Sequence, residues 1–417
     1  MAAGIGLAGS QPVPAGDVPS IKRADTLPAT TPWYLDELSK PPGCEWKEGR
    51  EVRSLFYKGE PYQGKPTRVF AHYATPGSLA GDPSLDKDLP AIVLVHGGGG
   101  TAFPDWARLW ASRGYAAIAM DLGIKGAAGE VLTDGGPRPI DLVKFATGQP
   151  ATDQWTYHAV ADVIRAHSLI LSFAEVDPER TALTGISWGG YLTCIVAGLD
   201  NRFKAAVPVY GCGFLHENSA WIKLLDGMSP ADRATWVRLW DPSRYVGSAR
   251  MPMLFVNGGT DFAYPPDSHA RTYALVSSPK NLHFVPDLRH GHIFDKPKAV
   301  EAFIDHHLKG GKPLPSIGPV QAGERQLVAP VTTATKLQRA GLHYTLDPLR
   351  GDHRARKWTS QPATIAEGSI RSGLPPADAT AWVLTLTDER DTTVSSALAI
   401  PGSAKGREET APAEDPQ

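Results

Sequence analysis

The sequence is poor in cysteine and carries almost no excess charge. The first absence argues against a disulfide-based fold and the second against a nucleic-acid-binding protein. Its 417 residues include three cysteines, Cys44, Cys194 and Cys212, which are too few for a disulfide framework. Cys194 and Cys212 stand among apolar residues, so we expect both to be buried small hydrophobes, with one disulfide left open. The net charge of −2 offers no basic surface of the kind that binds nucleic acid.

Long apolar runs are also missing, because none approaches the roughly 20 residues that span a bilayer. We therefore expect no membrane partner. Residues 1–16 are small, apolar and uncharged, and they lack the basic start of a signal peptide. Two interpretations stay open: the trimmed end of a signal peptide, which would indicate a secreted or periplasmic protein, and a disordered leader on a cytoplasmic one.

Composition divides the chain into four parts. We predict an extended, proline-rich segment over residues 1–48 that wraps a surface rather than forming a core. An α/β domain over 49–312, a small β-sandwich over 319–402 and a disordered tail over 403–417 follow it. The hydrophobic content of 42% and the charged content of 21% are those of an ordinary globular protein.

In the second part, apolar runs alternate with helix-prone segments, which predicts a mostly parallel sheet flanked by helices. The expected strands include 91–95, 115–120, 203–210, 253–256 and 282–285, and the expected helices include 107–113, 155–173, 191–199 and 299–308. In the third part, strands are predicted over 342–346, 363–370, 382–387 and 393–400.

The strongest local signal is the G-x-S-x-G pattern from Gly185 to Gly189, which lies between a β-prone and a helix-prone run. In that setting it predicts a nucleophile elbow with Ser187 at the apex in a strained conformation. A Cβ at Gly185 or Gly189 would collide with the neighbouring strand and helix. The Trp188 N–H would serve as one oxyanion donor. The alternative is an ordinary glycine-rich β–α turn.

Four glycines in succession follow the first buried strand, directly after His96. Such a run lets the backbone approach a ligand closely, and at this place it predicts the second oxyanion donor, assigned to Gly98. Gly97 and Gly99 are then expected beside the substrate. His96 is expected to brace the loop rather than to transfer protons. The alternative is a merely flexible loop.

Two further residues follow later strands and complete a candidate triad. Asp261 comes just after a buried strand and a glycine turn, which suits the acid, although it could instead be an Asx-turn residue. His290 precedes a glycine on a later loop and is the preferred base, with His292 in reserve. Asp121 precedes Ser187 in the chain, which is the wrong order for the acid of this topology.

An insertion over residues 214–247 carries Trp221, Trp236 and Trp240. Two interpretations stay open. The tryptophans could pack locally into the core, or the insertion could close over the serine as a cap, with Trp221 lining the substrate pocket.

Four motifs together resemble the α/β-hydrolase superfamily: H-G-G-G-G-T-A-F at 96–103, G-I-S-W-G-G-Y at 185–191, N-G-G-T-D at 257–261 and R-H-G-H at 289–292. They look closest to its acetyl xylan esterase, dienelactone hydrolase and prolyl-oligopeptidase-like branch. The resemblance covers about residues 50–310. It implies an α/β-hydrolase fold, a Ser187 nucleophile, a His290 base, an Asp261 acid, and no cofactor or metal.

The implied activity is that of a serine carboxylic ester hydrolase forming an acyl-enzyme on a small-molecule or polysaccharide ester, such as an acetylated carbohydrate. Serine replaces the cysteine of dienelactone hydrolases, and the part before the glycine run is too short for a prolyl-oligopeptidase propeller. A peptidase or amidase of that type remains an alternative, as does a non-catalytic binding protein. A metal-dependent hydrolase would use His290, His292, His306 and His307. The last part is expected to pack against the hydrolase or to help bind a polymer.

Overall fold

The computed structural model describes residues 18–47, 49–351 and 353–402. The expectations about a signal peptide in residues 1–16 and about a disordered tail over 403–417 lie outside the described residues.

Helices flank the sheet in the first three quarters of the chain. The α-helices of the described residues are α1 (Leu35–Leu38), α2 (Pro76–Ala80), α3 (Pro104–Ser112), α4 (Asp141–Lys144), α5 (Trp155–Ile170), α6 (Trp188–Leu199), α7 (Ile222–Asp226), α8 (Pro230–Trp240), α9 (Pro266–Leu275) and α10 (Lys298–Lys309). Short 3-10 turns lie at Pro83–Leu85, Ala151–Asp153, Pro242–Arg244, Val246–Ser248 and His353–Ala355.

Strands occur throughout, and they dominate the C-terminal part. They are β1 (Cys44–Trp46), β2 (Arg53–Lys58), β3 (Arg68–Ala74), β4 (Leu89–Val95), β5 (Ala116–Met120), β6 (Val176–Ile186), β7 (Ala205–Val209), β8 (Met253–Gly258), β9 (Lys280–Val285), β10 (Ser316–Ile317), β11 (Gln321–Ala322), β12 (Gln326–Thr332), β13 (Leu337–Thr345), β14 (Thr359–Ala366), β15 (Ser369–Gly373), β16 (Ala381–Asp388) and β17 (Thr393–Ser395).

The central sheet has the order β2-β3-β5-β4-β6-β7-β8-β9, with β1 pairing on the outer edge of β2. β2, β3 and β5 pair antiparallel, and every step from β5 to β9 is parallel. The parallel strands are buried on both faces, as their unbroken apolar runs predict. The α/β-hydrolase fold expected from the sequence is therefore confirmed. Its carboxyl strand ends, where ligands bind in such sheets, meet at one edge.

The N-terminal segment does more than cover a surface. Side chains from residues 18–38 join the main hydrophobic cluster together with those of the central sheet: Ile21, Ala24, Leu27, Trp33, Leu35 and Leu38. The prediction that this segment forms no core is therefore wrong. Its apolar residues are irregularly spaced among prolines. The sequence therefore has no helical or strand period there from which their burial could be predicted.

The C-terminal strands form two antiparallel sheets that share β14. One sheet runs β14-β13-β16-β17, and β17 continues it onto the central sheet by pairing Ser395 with Leu282 of β9. The other sheet joins β14, β15, β12 and β11. The strand predicted over 363–370 is wrong, because a turn at Glu367 and Gly368, both with positive φ, splits it into β14 and β15. The domain boundaries stay predictions.

Within the described ranges, no helix is both long and apolar enough to cross a membrane.

Candidate active site

Ser187 sits at a sharp turn between β6 and α6. Its backbone angles are φ 60° and ψ −116°, a strained combination for a residue that carries a Cβ. The flanking glycines leave the space that this turn needs. A Cβ on Gly185 would lie 2.2 Å from the Gly189 carbonyl oxygen, and one on Gly189 would lie 2.0 Å from the Val95 carbonyl oxygen. The turn thus has the geometry of a nucleophile elbow, as the G-x-S-x-G pattern predicts.

Three side chains from different loops form a continuous hydrogen-bonded chain. His290 Nε2 lies 2.9 Å from Ser187 Oγ, and His290 Nδ1 lies 2.7 Å from Asp261 Oδ2. The other Asp261 oxygen accepts the Ala263 and Tyr264 N–H groups at 2.8 Å each. Asp261 is fully buried and the His290 side chain is 12% exposed. His290 Nδ1 is thus placed to donate to Asp261 Oδ2, which leaves Nε2 to face the serine.

Aromatic side chains hold the His290 ring in place. Tyr210, at the end of β7, stacks on it with ring centroids 4.5 Å apart, and its hydroxyl donates to the Arg289 carbonyl oxygen at 2.6 Å. Phe262 contacts the same ring at 4.8 Å. Sequence reasoning missed Tyr210. The available signal was an aromatic residue at the carboxyl end of the strand beside the elbow, where a parallel sheet places ligand-side residues.

Two backbone N–H groups lie near the serine without a protein partner among the described residues: those of Trp188 and Gly98. The Trp188 N–H is the first of α6, and such a group has no earlier carbonyl within its own helix. Gly98 lies over the indole of Trp188, since a Cβ on it would be 2.8 Å from Cδ1 of that ring. Gly98 therefore lies beside Trp188, and the role of the two N–H groups as oxyanion donors stays a prediction.

The glycine loop is held mainly through Gly97. This residue lies close against Ser187, because a Cβ on it would be 2.9 Å from both Ser187 Cβ and the Ile186 carbonyl oxygen. His96 is buried and bridges the loop to the Leu122 N–H, which donates to Nε2 at 2.8 Å. That is the bracing position expected for it. Gly99 is exposed with φ 74°, a conformation that side chains rarely adopt.

Asp121 is not part of the hydrogen-bonded chain at the serine. Its carboxylate accepts the N–H groups of Gly123, Lys125 and Ala102 at 2.7, 2.8 and 3.3 Å. This agrees with its exclusion by chain order.

His292, the reserve base, does not hydrogen-bond Ser187 Oγ. Its Nε2 accepts the Gly97 N–H at 3.1 Å.

The insertion between β7 and β8 divides its tryptophans between two roles. Trp236 and Trp240 are fully buried, and their indole N–H groups donate to the Lys144 carbonyl oxygen and to Gln154 Oε1. These two therefore pack into the core. Trp221 is only half-buried and contacts the ring of Trp188 at 4.6 Å and that of Tyr264 at 5.4 Å. Trp221 therefore lies beside the candidate site. The interpretation that it lines the substrate pocket stays a prediction.

Neither the cysteines nor the histidine pairs form a second reactive centre in the described ranges. The three cysteines are free, and burial raises the pKa of the Cys194 and Cys212 thiols. Both are buried small residues, as predicted. Among the residues that the structure describes, no group of three or more His, Cys, Asp or Glu side chains is arranged to hold a metal ion.

The C-terminal part contacts the loop that carries the candidate acid Asp261 (the acid loop). Sequence reasoning did not predict this contact. Arg356 Nη1 and Trp358 Nε1 both donate to the Gly259 carbonyl oxygen at 3.0 Å, two residues before Asp261. Gly259 lies against the Trp358 ring so closely that a Cβ would be 2.3 Å from Nε1. A long-range contact of this kind leaves no mark in local sequence patterns.

Comparison with known proteins identifies the family of the chain. The acetyl xylan esterase (AXE1) family model matches residues 51–293, more than half of the chain, so the chain belongs to that family. The acetyl xylan esterase from Paenibacillus sp. R4 superposes with a TM-score of 0.52 at 23% identity, over 65% of this chain and 92% of that one. It supports the fold.

Two curated relatives match over smaller shares of the chain. The uncharacterized peptidase YuxL of Bacillus subtilis is 28% identical over 195 residues, covering 42% of this chain and 26% of the relative. The quorum-quenching protein AidA of Acinetobacter baumannii is 26% identical over 208 residues, covering 48% and 60% respectively. The chain thus spans less than two thirds of the length of either relative.

Proposed function

We propose that this member of the acetyl xylan esterase family is a serine carboxylic ester hydrolase that works through an acyl-enzyme. The observation that carries the proposal is the chain of hydrogen bonds from Ser187 Oγ through His290 to Asp261, at 2.9 and 2.7 Å. A serine, an imidazole and a buried carboxylate in that order are the parts of a general-base-activated nucleophile.

In the proposed reaction, Ser187 Oγ attacks the ester carbonyl carbon while His290 Nε2 takes its proton. The carbonyl oxygen gains negative charge in the tetrahedral intermediate, and the N–H groups of Trp188 and Gly98 stabilise that charge. His290 then returns the proton to the leaving alcohol, and the acyl group stays on the serine. Water attacks the acyl-enzyme by the same route, with His290 again acting as base, and releases the acid.

The substrate is proposed to be a carbohydrate-linked ester carrying a small acyl group such as acetyl. The family match supports this assignment. The half-exposed Trp221 lies beside the proposed oxyanion donor and gives a sugar or acyl group an aromatic surface. Gly97 lies directly beside Ser187, and together with Gly99 it is proposed to leave room for the substrate.

The test is Ser187→Ala, assayed with p-nitrophenyl acetate and with a fluorophosphonate probe. We expect turnover to fall by about 10⁴-fold or more and covalent labelling to disappear. Ser112→Ala, which changes an exposed serine at the end of α3, serves as the matched control and should behave as wild type. Near wild-type turnover in Ser187→Ala would refute the proposal, and wild-type protein that neither turns over nor labels would favour a non-catalytic binding role.

A second candidate is a peptidase or amidase using the same triad, because the similarity to an uncharacterized peptidase covers part of the chain. A panel of p-nitrophenyl acetate, acetylated xylan, feruloyl esters and aminoacyl p-nitroanilides separates the two. We expect the highest kcat/KM for acetyl esters. A higher kcat/KM for an aminoacyl anilide would identify the amidase.

A further inference from the structure

Both polar backbone atoms of Gly97 are held by imidazole rings from two different segments. Its carbonyl oxygen lies 2.7 Å from His96 Nδ1, and its N–H donates to His292 Nε2 at 3.1 Å. His96 Nδ1 must carry the proton, because Nε2 of that ring accepts the Leu122 N–H. Gly97 is therefore fixed from the buried side by His96 and from the exposed side by the loop that carries His290.

This clamp controls the direction of the neighbouring donor. The Gly97 carbonyl and the Gly98 N–H belong to one planar trans peptide, so they point in opposite directions. The carbonyl is turned towards His96 and also accepts the Gly100 N–H at 3.1 Å. Any rotation of Gly97 would therefore re-aim the Gly98 N–H, which is the second proposed oxyanion donor.

We propose that His292 is a positioning residue of the oxyanion hole, which in its neutral form accepts the Gly97 N–H and so restrains the backbone of the residue directly before Gly98. The inference rests on the proposed function, because it assigns a role within the same esterase site. A protonated His292 would direct an N–H of its own at the Gly97 N–H. Two donors cannot bond each other, so the contact would be lost.

The surroundings of His292 favour the neutral form. Its ring contacts Phe103 at 5.0 Å and Phe294 at 6.3 Å. The titratable groups that act on it are His96, after β4, and His290, on its own loop. The residue is exposed overall, but partial desolvation of its ring, and then the positive charges that His96 and His290 can carry, lower the pKa of His292 from its usual value. The contact is therefore present above that lowered pKa and is lost as the pH falls through it.

This mechanism predicts an unusual pH profile. Two imidazoles must be neutral for full activity, His290 as base and His292 as acceptor. Loss of the His292 contact slows the reaction without abolishing it. The acid limb of log(kcat/KM) for p-nitrophenyl acetate in the wild type should therefore approach a slope of two over about one to two pH units below the pKa of His292. His292→Gln retains an acceptor oxygen that does not titrate, so its limb should have a slope of one, with kcat/KM at neutral pH within about tenfold of wild type.

His292→Leu removes the acceptor altogether. We expect kcat at neutral pH to fall about ten- to a hundredfold with little change in KM, because a displaced donor weakens binding of the transition state rather than of the substrate. His306→Gln is the matched control. It also removes an imidazole that contacts a backbone carbonyl, that of Gly311, and it should keep the slope of two. Thermal unfolding of each variant shows that it is folded.

A slope of two in His292→Gln, or a wild-type kcat in folded His292→Leu, would overturn the inference. Should His292→Leu fail to fold, the slope of His292→Gln decides alone. Loss of all turnover in His292→Gln alongside an active His290→Gln would mean that His292 is the base, and would also overturn it. Failure of the proposed function looks different, because Ser187→Ala would then keep its turnover.

Discussion

At the scale of single residues, the site depends on glycines, which have no side chain, as much as on the side chains of Ser187, His290 and Asp261. Ser187 is forced into a left-handed conformation, and the strand before it and the helix after it pass so closely that only hydrogen fits at the flanking positions. The obstacles are backbone carbonyl oxygens, which have no rotamer to change. The local spacing of glycine and serine was therefore enough to predict this turn.

Gly189→Ala tests that account. The new Cβ would meet the Val95 carbonyl oxygen at 2.0 Å, so β4 and α6 must move apart. We expect the free energy of unfolding to fall by about 3 kcal/mol or more, as for severe overpacking. Urea unfolding measures it. The control is Gly148→Ala, at a position where a Cβ meets nothing within 4 Å, and it should change stability by less than about 0.5 kcal/mol. Equal stability of the two variants would contradict the account.

At the scale of elements, regular periodicity was readable and irregular burial was not. The buried strands and helices around the elbow were predicted within a few residues of their bounds, because apolar runs and 3.6-residue spacing record burial directly. The hairpin between β14 and β15 was missed because the turn at Glu367 and Gly368 is only two residues long and lies inside the predicted strand. The burial of the segment before β1 was missed because its apolar residues, such as Trp33, follow no regular period.

Trp33 makes the N-terminal segment part of the core. It is 3% exposed, donates its indole N–H to the Tyr157 carbonyl oxygen at 2.9 Å, and contacts the rings of Tyr157, Trp240 and Tyr245. We expect Trp33→Ala to lower the free energy of unfolding by about 3–5 kcal/mol.

The adjacent Tyr34 is 73% exposed and supplies the control. Tyr34→Ala should cost less than about 0.5 kcal/mol in the same denaturant titration. A Trp33→Ala protein as stable as Tyr34→Ala would restore the view that this segment only wraps the surface.

At the scale of the whole molecule, residues of the C-terminal part contact the candidate site directly and support it. Arg356 is 4% exposed and donates to the carbonyl oxygens of Gly259 and Leu349 at 3.0 and 2.9 Å, so it ties the acid loop to the loop before β14. Arg354 lies over Phe262, 4.3 Å from its ring centroid, and Phe262 in turn contacts His290. The grouping of Ser187, Asp261 and His290 was predictable from motifs, and their roles stay predictions. The support from the C-terminal sheets joins positions about a hundred residues apart and could not be predicted.

Arg356→Gln should therefore impair catalysis although it lies outside the hydrolase motifs. We expect kcat to fall by about tenfold with a smaller change in KM, because a displaced acid loop misorients His290. Arg339→Gln alters an exposed arginine of β13 that pairs with Asp391, and it should retain wild-type kcat. A folded Arg356→Gln with unchanged kcat would limit the C-terminal sheets to a packing role.

The pairing of β17 with β9 also has a consequence for how the protein behaves in concentrated solution. β9 would otherwise be the last strand of the central sheet, with unpaired N–H and C=O groups beside the buried side chains of Leu282 and Phe284. An exposed edge strand of this kind can pair with strands of other molecules. By capping it from within the same chain, the C-terminal sheets keep neighbouring molecules from adding to the sheet, so their loss would favour aggregation.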